Sequence, residues 1–400
     1  MIRIIVIAKG FGIPMKSQRV FITGLGALGA GFSNVEQLWD RVNNLRNPMP
    51  GNFETDLEFN KTLAYVCETE FDTQYSRSTG LALKALEEAV ADAGIREFPA
   101  FKSGVFAATA LGTIDRFEQS EPADNDDITR CLFELSEVVA QKYTCLGPNQ
   151  VFSTACAASL HAVDSAMREI QERQADVILV VGTEICSKIS LGCFNRLGGL
   201  DSSHCRPFDK DREGTVFGEG AFALILESES HYCQRGGNKL YGEVLGAGVS
   251  CDGFHATAPE PQGEQIKKAM GEALTTGGQT AAELQCIIPH GTGTALNDQI
   301  EAQALIELLG ARSQEVPVFP VKASLGHSAG AAGAASLVIA ANVSRNGQVP
   351  PVSNLNNTEY ALRFPTETID IPERNSVLVN GYGFGGNNAS VLIGDCSDVK

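Results

Sequence analysis

Four side chains with catalytic potential stand close to the ends of predicted strands: Cys156, His290, Lys322 and His327. Cys156 follows the segment NQVF and precedes an alanine-rich stretch that is typical of a buried helix. A helix N-terminus offers partial positive charge and free N–H groups, which lower the pKa of a thiol placed there. The position therefore favours a nucleophilic role, although a cysteine between two alanines is equally typical of a protein core.

The two histidines occupy comparable positions in the second half of the chain. His290 ends the predicted strand CIIPH, and His327 ends the segment KASLGH, which begins at Lys322. A single histidine after an apolar strand is more often structural than catalytic. A thiol and two histidines at corresponding strand ends instead indicate one shared site, because a nucleophile needs partners that move protons and stabilise negative charge.

Composition excludes several classes of function. A formal net charge of −17 over 400 residues, without any basic run, argues against nucleic-acid and anionic-membrane partners. No segment approaches the ~20 apolar residues of a membrane span. The 11 cysteines show neither CxxC pairs nor ligand spacing, which predicts reduced thiols in a cytoplasmic protein and no bound metal.

One pattern of strands and helices runs through the chain twice. A β-rich run that ends in glycines opens each half, and a helix follows, predicted at 81–95 and 264–278. Each half continues with a strand ending in Gly-Thr, a strand leading into a small-residue helix, and a closing strand pair. This repetition predicts an α/β fold of two similar halves, with mainly parallel sheets and close-packed helices between them.

The repeat also predicts the domain boundaries. Residues 15–238 form the first half, with the nucleophile Cys156, and residues 239–400 form the second half, with both histidines. Residues 1–14 are predicted to be an N-terminal extension, because the first strong strand starts after Met15.

Four short segments resemble the signature blocks of a known family. The segments STACAAS, HGTGTALND, KASLGHSAGAAGA and GYGFGGNN, in this order, are similar to those of the elongating β-ketoacyl synthases of the thiolase-like superfamily. RPFDKDREGTVFGEGA at 206–221 resembles the family's loop before its closing strand. The resemblance extends from Arg19 to Gly394 and implies a thiolase-like duplicated fold in α-β-α-β-α layers.

The resemblance implies a decarboxylative Claisen condensation in fatty-acid, polyketide or polyene elongation. Cys156 would accept an acyl group, and the enolate released from a malonyl thioester would attack it. His290 and His327 would polarise the malonyl carbonyl, and Lys322 would orient a histidine. The substrates would be carried on the phosphopantetheine of an acyl carrier protein, without a permanently bound cofactor.

Binding roles follow from the same resemblance. The backbone N–H groups of Cys156 and Phe384 would form an oxyanion hole, and the Phe384 ring would act as a gate. Four side chains would contact the substrates: Thr292 and Thr294 on the phosphopantetheine, and Leu111 and Phe194 in the acyl pocket.

Two positions depart from the family's usual pattern. Ser336 stands where the fatty-acid enzymes carry glutamate, which removes the expected ion-pair partner of Lys322, and Asn387 stands where threonine is usual. Both departures favour a specialised polyketide, polyene or secondary-lipid pathway over housekeeping fatty-acid synthesis.

The expected partners are an acyl carrier protein and a second subunit, in a homodimer or in a heterodimer with a chain-length-factor-like protein. Because carrier proteins are acidic, the tunnel mouth is predicted to carry a basic patch. The candidates for that patch are Arg196, Arg206, Lys210 and Arg212.

Other functions fit the sequence less well. Gly24 to Gly29 match GxGxxG, but the next helix starts only near Asn34 and no acidic strand end follows about 20 residues on, so these glycines are interpreted as close packing. A thiolase would need a second reactive cysteine near the C-terminus, and the initiating synthases use Cys-His-Asn. A non-catalytic chain-length-factor-like subunit is the main alternative, although such subunits lack the nucleophile.

The remaining polar positions have simpler interpretations. His161 is predicted to be structural and His255 to lie at the active-site entrance, whereas His204 and His231 are interpreted as surface residues. The acidic stretch from Glu118 to Asp127 is interpreted as a solvated loop or a dimer edge.

Overall fold

The computed structural model describes residues 18–45, 49–71, 74–119 and 132–396. The predicted extension at 1–14 lies outside these ranges, and so does most of the acidic stretch. Within the described ranges, no helix has both the length and the apolar content that a membrane crossing requires.

The helices of the described residues are numbered in chain order. They are α1 (Val35–Asn43), α2 (Arg77–Ala93), α3 (Ile114–Gln119), α4 (Phe133–Tyr143), α5 (Ala158–Gln171), α6 (Lys188–Leu197), α7 (Glu229–Gln234), α8 (Glu264–Thr276), α9 (Ala295–Leu309), α10 (Lys322–Leu325) and α11 (Ala332–Asn346).

The strands are numbered in the same way. They are β1 (Val20–Gly29), β2 (Gly51–Asn52), β3 (Leu63–Tyr65), β4 (Ser103–Ala108), β5 (Asn149–Phe152), β6 (Val177–Glu184), β7 (Phe217–Gly218), β8 (Gly220–Ser228), β9 (Gly242–Cys251), β10 (Cys286–Ile288), β11 (Gln348–Val349), β12 (Ile369–Asp370), β13 (Ser376–Gly383) and β14 (Asn387–Gly394).

The duplication is visible in the order of the strands. The main sheet has nine strands in the order β10-β13-β14-β9-β1-β8-β6-β4-β5. From the middle of the sheet outward, the first half of the chain contributes β1-β8-β6-β4-β5, and the second half contributes β9-β14-β13-β10 in the opposite direction. A parallel bridge from Ile287 to Val318 stands where β5 stands in the first half. The senses of pairing also repeat, since β8 and β14 are antiparallel to both neighbours. The predicted duplicated α/β fold is confirmed.

The prediction of mainly parallel sheets was wrong. Among the numbered strands of this sheet, parallel pairing is confined to β4 with β5 and β6, and to β10 with β13. The strand that closes each half returns antiparallel to the strand before it, and the opening strand pairs antiparallel with the closing one. The periodicity of single strands reports burial, but not the direction in which a neighbouring strand runs.

The layers follow from the packing of four helices. α5 and α11 contact strands of both halves and lie between them, whereas α2 packs on β1, β6 and β8 and α8 packs on β9, β13 and β14. These contacts give the predicted α-β-α-β-α arrangement. The two β layers are continuous, because Phe21 and Ile22 of β1 pair with Glu243 and Gly242. The boundary at 238/239 stays a prediction.

The glycines of β1 serve close packing. A Cβ added at Gly24 or Gly26 would overlap the carbonyl oxygen of Ala89 or Ala85 in α2. The next helix, α1, starts only after its N-cap, Asn34, whereas in a dinucleotide-binding site the glycine-rich turn leads directly into the helix. The interpretation as close strand packing is confirmed.

Candidate active site

Cys156 lies in a short 3₁₀ turn, residues 155–157, between β5 and α5. The turn begins at Ala155 with a φ of 50°, in the left-handed region that a residue with a Cβ rarely adopts. The backbone N–H groups of Cys156 and Phe384 both interact with the thiol sulfur. Two N–H groups directed at one atom are the donors that an oxyanion hole requires.

The predicted correspondence between Cys156 and His327 is offset by three residues. Cys156 lies two residues before α5, and the position two residues before α11 is Gly330. His327 lies in the preceding turn, where Gly326 adopts a φ of 72°. The duplication therefore brings the two turns together, while the catalytic side chains come from different positions in them.

The expected low pKa of Cys156 was wrong. Burial raises its pKa to about 11, and this effect outweighs the opposite effects of the Lys322 charge and the two backbone N–H groups. The local dipole of a helix start favours the thiolate, but desolvation disfavours this charged form more strongly. The resting nucleophile is therefore a neutral thiol, and a base must accept its proton during attack.

His327 is placed to be that base. Its Nε2 lies 3.1 Å from Sγ of Cys156. The pKa of His327 is well below 6.5, because the ring is buried and the Lys322 charge opposes protonation. A neutral imidazole has one nitrogen that can accept the thiol proton. The His290 ring stands nearby, at 5.5 Å between ring centroids.

Lys322 determines which nitrogen of His290 carries the proton. Its Nζ lies 3.3 Å from Nδ1 of His290 and also donates to the carbonyl oxygen of the same residue. An ammonium group can only donate, so the neutral ring accepts at Nδ1 and keeps its proton on Nε2. Burial and the charge of Lys322 hold the pKa of His290 well below 6.5. His290 is therefore a neutral hydrogen-bond donor.

The same three side chains could be considered as metal ligands. The donor atoms of Cys156, His290 and His327 all lie within 4.8 Å of one another. Lys322 opposes such a site, because it leaves the proton of His290 on Nε2 and places a positive charge beside the ring. The donor set fits proton transfer and anion stabilisation better than metal binding.

Two carboxylates that the sequence analysis did not assign shape the loop after β10. Glu301 accepts hydrogen bonds from the backbone N–H groups of His290 and Gly291, each at 2.7 Å. Asp298 accepts from the N–H groups of Thr292 at 3.0 Å and Gly293 at 3.1 Å. The two acids stand three residues apart at the start of α9, directly after the loop, and that spacing is the signal that could have identified them.

The environment of Lys322 explains how it tolerates Ser336. Ser336 is buried within α11. Burial lowers the pKa of Lys322, and the negative charges that oppose this shift include Glu301 and Asp298. Glu301 thus supplies a buried carboxylate near Lys322 although the position of Ser336 does not.

A cavity of about 300 Å³ opens onto the catalytic groups. Of the predicted substrate-binding residues, Thr292, Thr294, Phe194 and Phe384 line it, together with Cys156, His290 and His327. Leu111 is not among the lining residues, and its N–H group instead lies 3.3 Å from a carboxylate oxygen of Glu184. The structure brings the phosphopantetheine candidates to the cavity and leaves the acyl-pocket role of Leu111 a prediction.

A row of aromatic rings connects the predicted gate to His327. Phe384 stacks on Phe194 at 5.3 Å and 17°, Phe194 meets Phe217 edge-on at 4.8 Å, and Phe217 lies parallel to the His327 ring at 6.4 Å. Rotation of Phe384 therefore requires Phe194 to lose a stacked neighbour.

Three side chains hold the turn and the loop at the entrance. Asn387 donates to the carbonyl oxygen of Phe384 at 3.1 Å, and Asn388 donates to Asp252 at 2.6 Å. His255 is exposed, and its Nδ1 accepts from the N–H groups of Thr257 and Ala258, both of which line the cavity. His255 thus lies at the entrance, as predicted, and Asn387 stabilises the turn that carries Phe384.

The other histidines lie outside the catalytic group. His161 is half-buried, and its Nδ1 lies 2.6 Å from the hydroxyl of Thr154, which supports its structural interpretation. The interpretation of His204 and His231 as surface residues was wrong, since both are half-buried. His231 lies 2.6 Å from the buried carboxylate of Glu227, and a single polar residue in a sequence does not show such a partner.

The predicted basic patch is smaller than expected. Arg196 and Lys210 are exposed. Arg206 forms an ion pair with Asp201 at 3.1 Å, and Arg212 lies 3.7 Å from the buried Asp298. The latter two charges are neutralised within the fold.

Comparisons with known proteins match the chain to one family. Residues 17–231 match the family described as "Beta-ketoacyl synthase, N-terminal domain", and residues 241–356 match "Beta-ketoacyl synthase, C-terminal domain". Among curated proteins, 3-oxoacyl-[acyl-carrier-protein] synthase 2 of Rhizobium meliloti (strain 1021) is 38% identical over 64% of this chain and 62% of that protein.

A second relative and a solved structure cover nearly the whole chain. The ketoacyl synthase alpha subunit of the tetracenomycin polyketide synthase of Streptomyces glaucescens is 29% identical over 94% of this chain and 97% of that protein. A chain of the ishigamide ketosynthase/chain length factor superposes with a TM-score of 0.87 at 29% identity, over 95% of this chain and 100% of that one.

Proposed function

Because the chain belongs to the β-ketoacyl synthase family, we propose that Cys156, His290, Lys322 and His327 carry out decarboxylative condensation on carrier-bound thioesters. The enzyme is an acyltransferase of the 3-oxoacyl-[acyl-carrier-protein] synthase type. The observation that carries the proposal is the contact of His327 Nε2 with the Cys156 thiol, 3.1 Å long, beside a histidine held as a donor by Lys322.

The first half-reaction transfers an acyl group to Cys156. Sγ attacks the carbonyl carbon of the incoming thioester while its proton passes to Nε2 of His327. The backbone N–H groups of Cys156 and Phe384 stabilise the tetrahedral oxyanion. The bond to the pantetheine sulfur then breaks, and the proton on His327 passes to that leaving sulfur, so the ring returns to its neutral state.

The second half-reaction forms the new carbon–carbon bond. His290 donates from Nε2 to the malonyl thioester carbonyl, and loss of CO₂ leaves an enolate at that oxygen. Before this step the neutral His327 ring exchanges its proton from Nδ1 to Nε2, and it then donates from Nε2 as the second partner. The enolate carbon attacks the acyl carbonyl, the bond to Sγ breaks, and one proton taken up from solvent returns the Cys156 thiolate to the thiol.

The substrates reach this site on a flexible arm. Thr292 and Thr294 line the cavity and lie 2.8 Å apart between hydroxyl oxygens, which suits hydrogen bonding to an amide-rich chain such as phosphopantetheine. We therefore propose an acyl carrier protein as partner and no permanently bound cofactor. Phe194 and Leu111 are proposed to contact the acyl chain.

The proposed assembly is a dimer, with a second copy or with a chain-length-factor-like subunit. A pathway of polyketide or polyene type is favoured by Asn387 and Ser336 and by the likeness to a ketosynthase/chain length factor structure. The ten described cysteines are all free, which favours a reducing compartment, and we propose the cytoplasm. The alternative, a non-catalytic partner subunit, is disfavoured because the nucleophile and both histidines share one cavity.

The test is acylation followed by intact-mass analysis. The protein is offered a panel of acyl thioesters of a bacterial acyl carrier protein, and we expect one acyl mass per chain. Cys156→Ala should abolish that mass while circular dichroism and the melting temperature stay close to those of the parent. Cys233→Ala, which removes an exposed thiol in α7, is the control and should be acylated normally. Acylation of Cys156→Ala would refute the assignment.

A further inference from the structure

Arg41 is a buried cation that the mechanism above does not use. It lies on the buried face of α1 and is only 4% exposed. Burial lowers its pKa to about 10. No carboxylate pairs with it among the residues that the structure describes. Burying a charge without a counter-ion costs free energy, so other groups must stabilise the guanidinium of Arg41.

Two backbone carbonyl groups stabilise the guanidinium. Nη2 donates to the carbonyl oxygen of Ser324 at 2.6 Å, and Nη1 donates to that of Ala30. The guanidinium carbon also lies 5.5 Å from the ring centroid of Phe32. Ser324 belongs to α10, whose last carbonyls carry partial negative charge, so a cation at this end forms a charge-assisted hydrogen bond.

α10 depends on contacts from outside itself. It has four residues and starts with Lys322, and a helix of one turn has little stability of its own. Besides Arg41, the side chain of Asn354 donates to the carbonyl oxygen of Ala323 at 2.8 Å. The hydroxyl of Ser353 also lies 3.0 Å from that of Ser324. The position of Lys322 therefore depends on three polar side chains, and Arg41 is the charged one.

His327 has a separate anchor. Its N–H group donates to the carbonyl oxygen of Val216 at 2.7 Å, and its carbonyl oxygen accepts from Gly218 at 3.1 Å. These bonds tie His327 to β7, independently of α10. A change at Arg41 should therefore displace Lys322 more than His327.

We propose that Arg41 is a positioning residue for decarboxylation: through the Ser324 carbonyl it holds α10 so that Lys322 reaches His290 and fixes its donor tautomer. The inference rests on the proposed function. It means that a residue of the first half of the chain positions α10 in the second half. It predicts that loss of Arg41 separates the two half-reactions, because acylation uses His327 and decarboxylation uses the Lys322–His290 pair.

The test compares CO₂ release from malonyl-acyl carrier protein with acylation of Cys156 in the full-length protein. For Arg41→Met we expect CO₂ release to fall about 10- to 100-fold, since displacement by ~1 Å can cost 10²-fold. Acylation should change far less. Arg41→Lys keeps the charge but cannot bridge both carbonyls, and should lie between the parent and Arg41→Met.

Two controls distinguish positioning from general destabilisation. Val42→Ala truncates a fully buried neighbour on α1 and should lower the melting temperature without separating the half-reactions. In a Lys322→Ala background, Arg41→Met should cause no further loss of CO₂ release, because a residue that acts through Lys322 has nothing left to position.

Equal loss of both half-reactions in Arg41→Met, or an undiminished loss in the Lys322→Ala background, would overturn the proposal. If Arg41→Met does not fold, the same comparison is made with Arg41→Lys, and either of these two outcomes would overturn the proposal. If the parent protein itself released no CO₂, the proposed function would be wrong. That outcome differs from the two above, which contradict only the role of Arg41.

Discussion

At the scale of single residues, the two histidines are chemically different. Lys322 donates to Nδ1 of His290, so this ring presents a fixed N–H donor at Nε2. Nδ1 of His327 has no hydrogen-bond partner among the described residues. The His327 ring is therefore free to accept a proton at Nε2 in one half-reaction and to donate from that nitrogen in the other.

This difference predicts how the half-reactions respond to mutation. We expect His290→Ala to be acylated normally at Cys156 but to release CO₂ about 10²- to 10³-fold more slowly, because a donor to the developing enolate is lost. Lys322→Ala should slow the same step. The measurement is acyl-enzyme mass and CO₂ release in parallel for each variant. Parental CO₂ release from His290→Ala would show that this residue is not at the malonyl site.

That Cys156, His290, Lys322 and His327 lie together could be predicted from sequence, because each is inside a short block with a recognisable order. Glu301 was missed, because only its spacing from Asp298 marks it in the sequence and its role depends on the loop after β10 folding back over the start of α9. The pKa of Cys156 was predicted in the wrong direction for a related reason. The effect of a helix start can be read from neighbours in the chain, whereas desolvation depends on what packs over the thiol.

At the scale of elements, α9 controls the loop that carries His290. Burial raises the pKa of Glu301 to about 7, and its charged form accepts the N–H groups of His290 and Gly291. That form is present above pH 7 and is lost as the pH falls through this value. The loop and the charge balance of Lys322 therefore change near neutral pH.

We accordingly expect CO₂ release to decline as the pH falls through about 7. The histidines should not contribute to this decline, because the pKa of each is well below 6.5 and both stay neutral. Glu301→Gln should be slower than the parent but nearly constant from about pH 6 to about pH 8. If the pH–rate profile of Glu301→Gln kept the parental decline, another group would be responsible.

The contact between β1 and α2 makes a second prediction at this scale. Gly24→Ala places a methyl group against the carbonyl oxygen of Ala89, so we expect a loss of stability of about 1–3 kcal/mol or more from overpacking. Gly51→Ala is the matched control, because nothing lies within 4 Å of its added Cβ. Equilibrium denaturation of both variants gives the comparison. Equal stability would mean that β1 and α2 separate easily.

The elements themselves were largely predictable, because apolar periodicity and glycine stops mark α2 and α8 and the β-rich runs mark the strands. The pairing of β1 with β9 was not, since it joins two segments through only Phe21 and Ile22. Nor was the ion pair of Arg206 with Asp201, which removes a cation from the predicted patch. Both contacts form in the tertiary fold, and the apolar periodicity of a single segment does not predict them.

At the scale of the molecule, a net charge of −17 must be overcome locally if an acidic carrier protein is to dock. Arg196 is exposed and adjoins Leu197, which lines the cavity. We expect Arg196→Glu to raise the KM for malonyl-acyl carrier protein several-fold at low salt and much less at high salt. The KM for malonyl-coenzyme A, which lacks the carrier, should stay nearly constant.

Arg96→Glu provides the matched control, since it makes the same charge change at an exposed position that follows α2. It should leave the KM for the carrier substrate close to the parental value. An equal effect of both variants would show that total charge, rather than a local patch, governs docking.

The pairing of β1 also has a consequence for the synthesis of the chain. Every residue of β1 is buried, yet its partner β8 ends at Ser228 and β9 starts only at Gly242. At translation rates of about 5–20 residues per second, the ribosome needs roughly 10–40 s to make the intervening segment. For that period a strand with a single polar side chain, Thr23, stays on the nascent chain with both of its edges unpaired, although α1, α2 and α5 can already pack on it. We therefore expect a chaperone to bind this segment.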